Sequence, residues 1–481
     1  MSGPRRVRRV VAAWGAALAC ALATLVSGDP PPGPVAIEPA GRALARLDSL
    51  MEIVRAEEAR VRPALGLEAS WTRLARAWFQ VGDHARAAKC LERARLIGAK
   101  EYDTALLSGR IARSEGRFAE AVEWLERAAR MRPEDWEVHE DLGLALYLEG
   151  RLAGAADHWA RARALPGSGS PDRAGLLEAM RAAGERPYAL SGRGRERIRF
   201  IAQSSRGPLV VPVRLNGRGP FPFRIDAGSP EVTLEGSLAA ELGITRFIGG
   251  AAGSPAAAAG LRLDYAVLDS LMLGATTVHR LPVAVTRARR ADLPGGVRGL
   301  IGFEVLRRFR FCIDPPDSAL WLGPLPAPGA TADTTAPAWA PPGAVTHRVP
   351  VLLRGTHLLI AYGRLDRGPE RPFLLDLGGS GVALAAPAST IAEAGITLDS
   401  TRVRGGTTAA GAVRFLDFPI GRLCVGSACR DSLAGGYGTF PPRLEANPNF
   451  RLAGIVSGGF LARYRIDVDL STHEVRLVES R

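Results

Sequence analysis

One stretch of sequence occurs twice in the chain, and each copy ends in an aspartate. Residues 222–226 read Pro-Phe-Arg-Ile-Asp, and residues 372–376 read Pro-Phe-Leu-Leu-Asp. Each copy is a short apolar run, typical of a buried strand, and a glycine stands two places after each aspartate, as Gly228 and Gly378. The repetition predicts two copied units, each presenting one carboxyl group at the end of a strand.

The copies continue downstream. Gly-Leu-Ile-Gly at 299–302 is followed by Asp314, and Gly-Ile-Val-Ser at 454–457 is followed by Asp469 at the same spacing. Short apolar runs broken by Gly, Pro and Asn are typical of β-structure. We therefore expect two β-rich lobes, residues 191–325 and 346–481, joined by a Pro/Ala-rich linker at 326–345.

Two carboxyl groups in such turns suggest acid–base chemistry. If the copies pair about a pseudo-twofold axis, the carboxyl groups of Asp226 and Asp376 both contact one water molecule. Like charges that close cannot both ionise, so the pair shares a proton. The charged member can take a proton from the water, and the protonated member can donate to a carbonyl oxygen.

Each half resembles the retropepsin-like and pepsin-like aspartic peptidases, in which a strand ends in Asp-Thr/Ser-Gly and a later strand ends in two hydrophobic residues and glycine. The resemblance implies a bilobal acid-protease-like β-barrel domain whose lobes pair within one chain, so that a homodimer is not required. It implies Asp226 and Asp376 as the catalytic pair of an aspartic endopeptidase. The residues implied in the active-site turns and their support are Gly228, Ser229, Gly378, Gly379 and Ser380.

The sequence also departs from that pattern. Ala227 and Leu377 stand where the family has Thr or Ser, so the hydroxyls that normally bond across the pair are missing. Ser457 replaces a glycine, and Gly379 stands where the first half has Ser229. The interpretation therefore has two forms: an active peptidase, or a catalytically weak or inactive peptide-binding scaffold.

A second periodicity governs residues 41–190. Gly82, Gly116 and Gly150 lie 34 residues apart, and small residues recur at fixed offsets from them. The period resembles the tetratricopeptide repeat, in three copies with flanking helices, and so predicts an N-terminal α-solenoid. The complete fold class expected is thus multidomain, α followed by all-β. The resemblance implies a docking surface for a peptide or protein partner.

The N-terminus has the order of a secretory signal. Four arginines at positions 5–9 precede an uncharged, mostly apolar run at 10–26, followed by small residues and a Pro-rich stretch at 29–40. We expect residues 1–28 to be a signal peptide or an N-terminal anchor, and the protein to be periplasmic or secreted. In that setting Cys424 and Cys429 are a possible disulfide, the alternative being two small core residues on facing strands.

Charge narrows the range of partners. The formal net charge is +13, and most of the excess lies in the two β-rich halves without an extended basic cluster. Nucleic acid is therefore not expected as a partner, while peripheral association with an anionic cell envelope is compatible with the excess. Seven scattered histidines and no paired Cys/His spacing predict no metal and no cofactor.

Overall fold

A computed structural model describes residues 35–61, 68–98, 101–171, 173–184, 186–192, 194–201, 209–249, 263–286, 296–325, 343–379, 381–408, 411–445 and 450–479. The predicted signal segment 1–28 lies outside these residues, as do 29–34 of the predicted Pro-rich stretch and 326–342 of the predicted linker. Within the described part of the chain, no helix is both long enough and apolar enough to cross a membrane.

The N-terminal part consists of antiparallel helix pairs. In order, the helices are α1 (Ala40–Val61), α2 (Glu68–Val81), α3 (His84–Leu96), α4 (Tyr102–Ser114), α5 (Phe118–Met131), α6 (Trp136–Glu149), α7 (Leu152–Ala164) and α8 (Ala174–Ala183). Gly82, Gly116 and Gly150 follow α2, α4 and α6, and each has a positive φ, at 94°, 77° and 92°. Glycine adopts this left-handed conformation without steric cost, so the repeated glycine ends the first helix of each pair.

Small residues let the two helices of a pair approach. A Cβ at Gly109 in α4 would lie 2.5 Å from Leu125 in α5, and one at Gly143 in α6 would lie 2.5 Å from Trp159 in α7. The two glycines are 34 residues apart and lie in the first helix of successive pairs. The large residues that they face, Leu125 and Trp159, are also 34 residues apart and lie in the second helix of each pair. The predicted helical repeats are thus confirmed, as is their position before a β-rich region.

The first lobe has one main sheet. Its elements are β1 (Ala189–Ser191), β2 (Glu196–Arg199), β3 (Val210–Leu215), β4 (Arg218–Ile225), β5 (Val232–Glu235), α9 (Gly236–Glu241), β6 (Ile248–Gly249), β7 (Leu263–Leu273), β8 (Thr276–Thr286), β9 (Gly299–Ile301), α10 (Phe303–Leu306), β10 (Arg310–Asp314) and β11 (Ala319–Gly323). The order in this sheet is β1-β8-β5-β9-β4-β3-β7-β6, and β9 runs parallel to β4 and antiparallel to β5. The strand that leads to Asp226 therefore has β9 as its direct neighbour.

The second lobe repeats this arrangement. Its elements are β12 (Thr346–Arg354), β13 (Leu358–Leu365), β14 (Arg371–Leu375), β15 (Leu384–Ala385), α11 (Ala388–Glu393), β16 (Val403–Thr408), β17 (Gly411–Val425), β18 (Ala428–Tyr437), α12 (Pro442–Glu445), β19 (Gly454–Val456), α13 (Gly458–Leu461), β20 (Tyr464–Asp469) and β21 (Glu474–Glu479). Here β19 runs parallel to β14 and antiparallel to β15. The strand that leads to Asp376 thus has the equivalent neighbour.

A shared sheet joins the lobes, with strand order β12-β21-β20-β10-β11-β2. Its centre is the antiparallel pair of β10 from lobe 1 and β20 from lobe 2, where Cys312 lies opposite Asp467. Two ion pairs also cross the boundary, Arg310 to Asp467 at 3.0 Å and Arg465 to Asp314 at 3.1 Å. Backbone hydrogen bonds of one sheet therefore fix the two lobes relative to each other.

The helical repeats pack directly on the β-lobes. Apolar residues of α2 to α4 share one buried cluster with Leu358, Ile360 and Leu374 of lobe 2. The Tyr362 hydroxyl lies 2.9 Å from His84 Nδ1, and burial lowers the pKa of His84 to about 4. On the lobe 1 side, Tyr147 of α6 hydrogen-bonds Glu304 of α10. No sequence pattern described above predicts that the repeats pack on the β-lobes.

Candidate active site

The first aspartate turn is built by backbone hydrogen bonds. Asp226 follows the last residue of β4, and its amide donates to the Ile301 carbonyl of β9 at 3.0 Å. The Gly228 amide donates to Asp226 Oδ1 at 3.1 Å, and the Ser229 amide donates to the Asp226 carbonyl at 3.0 Å. The Asp226 carboxyl, of which only 4% is exposed, is therefore held by the glycine turn that the sequence predicted.

The second turn has the same backbone plan. The Asp376 amide donates to the Val456 carbonyl of β19 at 2.9 Å, and the Gly379 amide donates to the Asp376 carbonyl at 3.3 Å. Gly378 supplies a backbone hydrogen bond to the Asp376 carboxyl, which is 5% exposed. Ser380 lies outside the described residues.

The two turns lie side by side. A Cβ at Gly378 would be 2.6 Å from the Ile225 carbonyl oxygen and 3.4 Å from the Asp226 Cα. A side chain at position 378 would overlap the first turn, so only glycine allows this approach. The structure thus brings together Asp226 and Asp376, which are 150 residues apart in the sequence.

Burial and charge change the acidity of the pair. Burial, followed by the neighbouring charge of Asp226, raises the pKa of Asp376 to about 7. The Arg224 guanidinium, a Ser457 hydrogen bond and the Gly378 backbone oppose the rise but do not cancel it. Asp376 Oδ1 is buried and has no hydrogen-bond partner among the described residues. Below about pH 7 the Asp376 carboxyl group therefore keeps its proton.

The missing hydroxyls are replaced by apolar contacts. Ala227 and Leu377 are both buried, and both belong to the apolar cluster that spans the two lobes. Neither side chain can donate a hydrogen bond, so neither supplies the link that a Thr or Ser hydroxyl makes in the family.

A hydroxyl nevertheless reaches the second aspartate. Ser457, directly after β19, donates from Oγ to Asp376 Oδ2 at 3.3 Å. From the sequence, Ser457 is only a departure from the family pattern. The sequence feature that could have indicated its contact with Asp376 is an exchange of residue types between the halves: Ser229 and Gly302 in one, Gly379 and Ser457 in the other.

The sequence analysis also named Ser229 and the pair Cys424 and Cys429. Ser229 Oγ faces the Glu231 carbonyl at 3.5 Å, within the first turn. Cys424 and Cys429 form a disulfide at the β17–β18 hairpin, where they are directly opposite each other. The disulfide closes the end of that hairpin in lobe 2.

The segment behind the first turn connects it to the helical repeats. The Phe303 amide donates to the Ser229 carbonyl at 2.8 Å, and the Glu304 amide donates to the Pro230 carbonyl at 2.9 Å. The Glu304 side chain pairs with Arg307 at 2.6 Å and hydrogen-bonds Tyr147 of α6. The repeats thus contact the helix that supports the Asp226 turn.

Two family models match the chain. The tetratricopeptide repeat model matches residues 72–134 and 106–169, and the aspartyl protease model matches residues 211–305. The second match covers the Asp226 turn and β9 but not the second lobe. No curated protein matches the chain.

Similar solved structures share low identity with the chain. A crystal structure of MamA has 13% identity and a TM-score of 0.24, covering 27% of this chain and 77% of that one. MamA 41-end from Desulfovibrio magneticus RS-1 has 18% identity and a TM-score of 0.26, covering 30% and 81%. YrrB, described as a TPR protein with an unusual peptide-binding site, has 18% identity and a TM-score of 0.26, covering 30% and 76%. By these two matches, residues 72–169 are similar to tetratricopeptide repeats and residues 211–305 are similar to an aspartyl protease domain.

Proposed function

We propose that the protein is an exported aspartic endopeptidase in which Asp226 and Asp376 activate one water molecule. The observation that carries the proposal is the adjacency of the two turns, which places a second buried carboxyl group beside Asp376. Burial and that neighbour raise the pKa of Asp376 to about 7, and a carboxyl group that stays protonated beside a charged one is what a shared-proton mechanism needs.

The proposed reaction starts with Asp376 protonated and Asp226 charged. The Asp226 carboxylate takes a proton from the water as the water oxygen attacks the peptide carbonyl carbon. Asp376 donates its proton to the carbonyl oxygen, which gives a neutral tetrahedral diol. Asp226 then returns its proton to the leaving nitrogen while a diol hydroxyl gives a proton back to Asp376, and the C–N bond breaks.

Two further parts of the proposal concern location and docking. The basic and apolar N-terminal segment supports export, which a fusion of residues 1–40 to a compartment-sensitive reporter tests directly. The tetratricopeptide repeats support protein–protein interaction, and we propose that they dock a substrate or partner protein.

The test is cleavage of an unstructured protein by the full chain at pH values from 3 to 8. We expect wild type to cleave, and Asp226→Asn and Asp376→Asn each to lose at least about 100-fold in rate, because each removes one proton-transfer group. Asp431→Asn, at an exposed position of lobe 2, is the matched control and should keep wild-type activity. Activity that survives either dyad substitution would refute the mechanism.

A second function remains a candidate because Ala227 and Leu377 cannot form the polar link across the pair. In that case the domain binds peptides without hydrolysing them. Fluorescence anisotropy with a labelled unstructured peptide separates the two: binding without cleavage at any pH identifies the scaffold, and cleavage identifies the enzyme.

A further inference from the structure

The two lobes have a serine at different positions of the same arrangement of aspartate turn and neighbouring strand. In lobe 1 a serine stands three residues after the aspartate, as Ser229, and a glycine follows the neighbouring strand, as Gly302. In lobe 2 the two residue types are exchanged, with Gly379 after the aspartate and Ser457 after the strand.

Space in each turn explains the exchange. A Cβ at Gly379 would overlap both Asp376 Oδ2 and Ser457 Oγ, so the glycine leaves the room that the Ser457 hydroxyl fills. A Cβ at Gly302 would overlap the Glu231 carbonyl and lie 2.7 Å from the Pro230 carbonyl oxygen, so lobe 1 has no room for a serine there. Each lobe therefore accommodates one of the two side chains.

Ser457 is held in place by its own backbone. Its amide donates to the Ala383 carbonyl at 3.0 Å, and its carbonyl accepts from the Phe460 and Leu461 amides of α13. The side chain is buried, and the hydroxyl donates to Asp376 Oδ2 at 3.3 Å. This leaves Oδ1 of the same carboxyl group for the shared proton.

We propose that Ser457 is the positioning residue of Asp376, and that its hydroxyl fills the space that a side chain at position 379 would take. The inference rests on the proposed function, since it assigns a role within the same dyad. A hydroxyl that donates to a carboxylate stabilises the charged form, so its removal raises the affinity of Asp376 for its proton.

The first measurement is direct titration of the Asp376 carboxyl by ¹³C NMR, with Asp376→Asn used to assign the signal. Ser457→Ala should raise the proton affinity of Asp376 by about tenfold, which moves its titration up by about one pH unit. Ser427→Ala, an exposed serine of the same lobe, should leave the titration unchanged. An unchanged titration in Ser457→Ala overturns the proposal.

The second measurement is the pH profile of peptide cleavage. Ser457→Ala should move the alkaline limb of kcat/KM upward by the same interval and lower kcat more than it changes KM. The conservative variant Ser457→Thr keeps a hydroxyl at this extended backbone position and should leave both the limb and the titration near wild type. A Ser457→Thr variant that folds and titrates like Ser457→Ala overturns the proposal, and this variant also serves if Ser457→Ala does not fold.

These measurements test the endopeptidase activity and the positioning role of Ser457 separately. If wild type cleaves nothing but Ser457→Ala still moves the Asp376 titration, the endopeptidase is refuted and the positioning role stands. If wild type cleaves but the titration does not respond to Ser457→Ala, the enzyme stands and the positioning role is refuted.

Discussion

Replacement of Asp376 by asparagine should make the folded protein less sensitive to pH. Burial and Asp226 raise the pKa of Asp376 from 3.8 to about 7 in the folded state. Between about pH 4 and pH 7 the folded chain keeps this proton and the unfolded chain releases it. The free energy of unfolding of wild type therefore falls as pH rises through this window, and the contribution is fully present only below about pH 4.

The size of the effect follows from the pKa difference. At about 1.4 kcal/mol for each pH unit, a rise from 3.8 to about 7 corresponds to roughly 4 kcal/mol as an upper estimate. Asparagine has a similar shape and cannot ionise. The stability of Asp376→Asn relative to wild type should thus increase by up to that amount between pH 4 and pH 8.

Urea unfolding followed by circular dichroism at pH 4, 6 and 8 measures this difference. Asp226→Asn is an informative companion, because removal of the neighbouring charge lowers the pKa of Asp376. The pH-dependent loss of stability should therefore be complete at a lower pH in this variant than in wild type. Asp431→Asn is the exposed control. A difference between Asp376→Asn and wild type that stays constant from pH 4 to pH 8 would show that Asp376 is not a buried, proton-holding carboxyl group.

Two further predictions concern packing. Gly116→Ala should lower the midpoint of thermal unfolding more than Gly150→Ala does. Both positions have positive φ, but only a Cβ at 116 would overlap the His473 ring of lobe 2. Equal shifts in the midpoint would contradict the contact between the repeats and that lobe. Leu377→Thr should lower the free energy of unfolding in urea by about 2 to 4 kcal/mol, because it removes buried apolar volume and buries a hydroxyl, whereas the exposed change Leu96→Thr should cost far less; equal losses would contradict the buried position of Leu377.

Much of the architecture could be predicted because it repeats within the sequence. The glycines 34 residues apart indicate where each first helix of a repeat ends, and all three have positive φ. The copied segments ending at Asp226 and Asp376 indicate the strands and turns of both lobes. Repetition gives a pattern that a single sequence is enough to reveal.

What could not be predicted depends on contacts between distant segments. The hydrogen bond from Ser457 to Asp376 joins residues 81 positions apart, and residue types alone did not show that the hydroxyl points at the carboxyl group. The contact of Tyr362 with His84 spans 278 positions and buries the histidine in its neutral form. The first contact is indicated only by the exchange of serine and glycine between the two halves, and the second has no periodic or local signal in the sequence.

The shared sheet of the two lobes has a consequence for how the site tolerates change. Because β10 and β20 are hydrogen-bonded neighbours, the backbone sets the approach of the two aspartate turns, and the ion pairs of Arg310 and Arg465 reinforce it. The side chains at 227 and 377 are therefore not needed to hold the lobes together. Apolar residues can occupy these two positions, and a serine can stand after β19 instead of in the aspartate turn, while the two carboxyl groups stay paired.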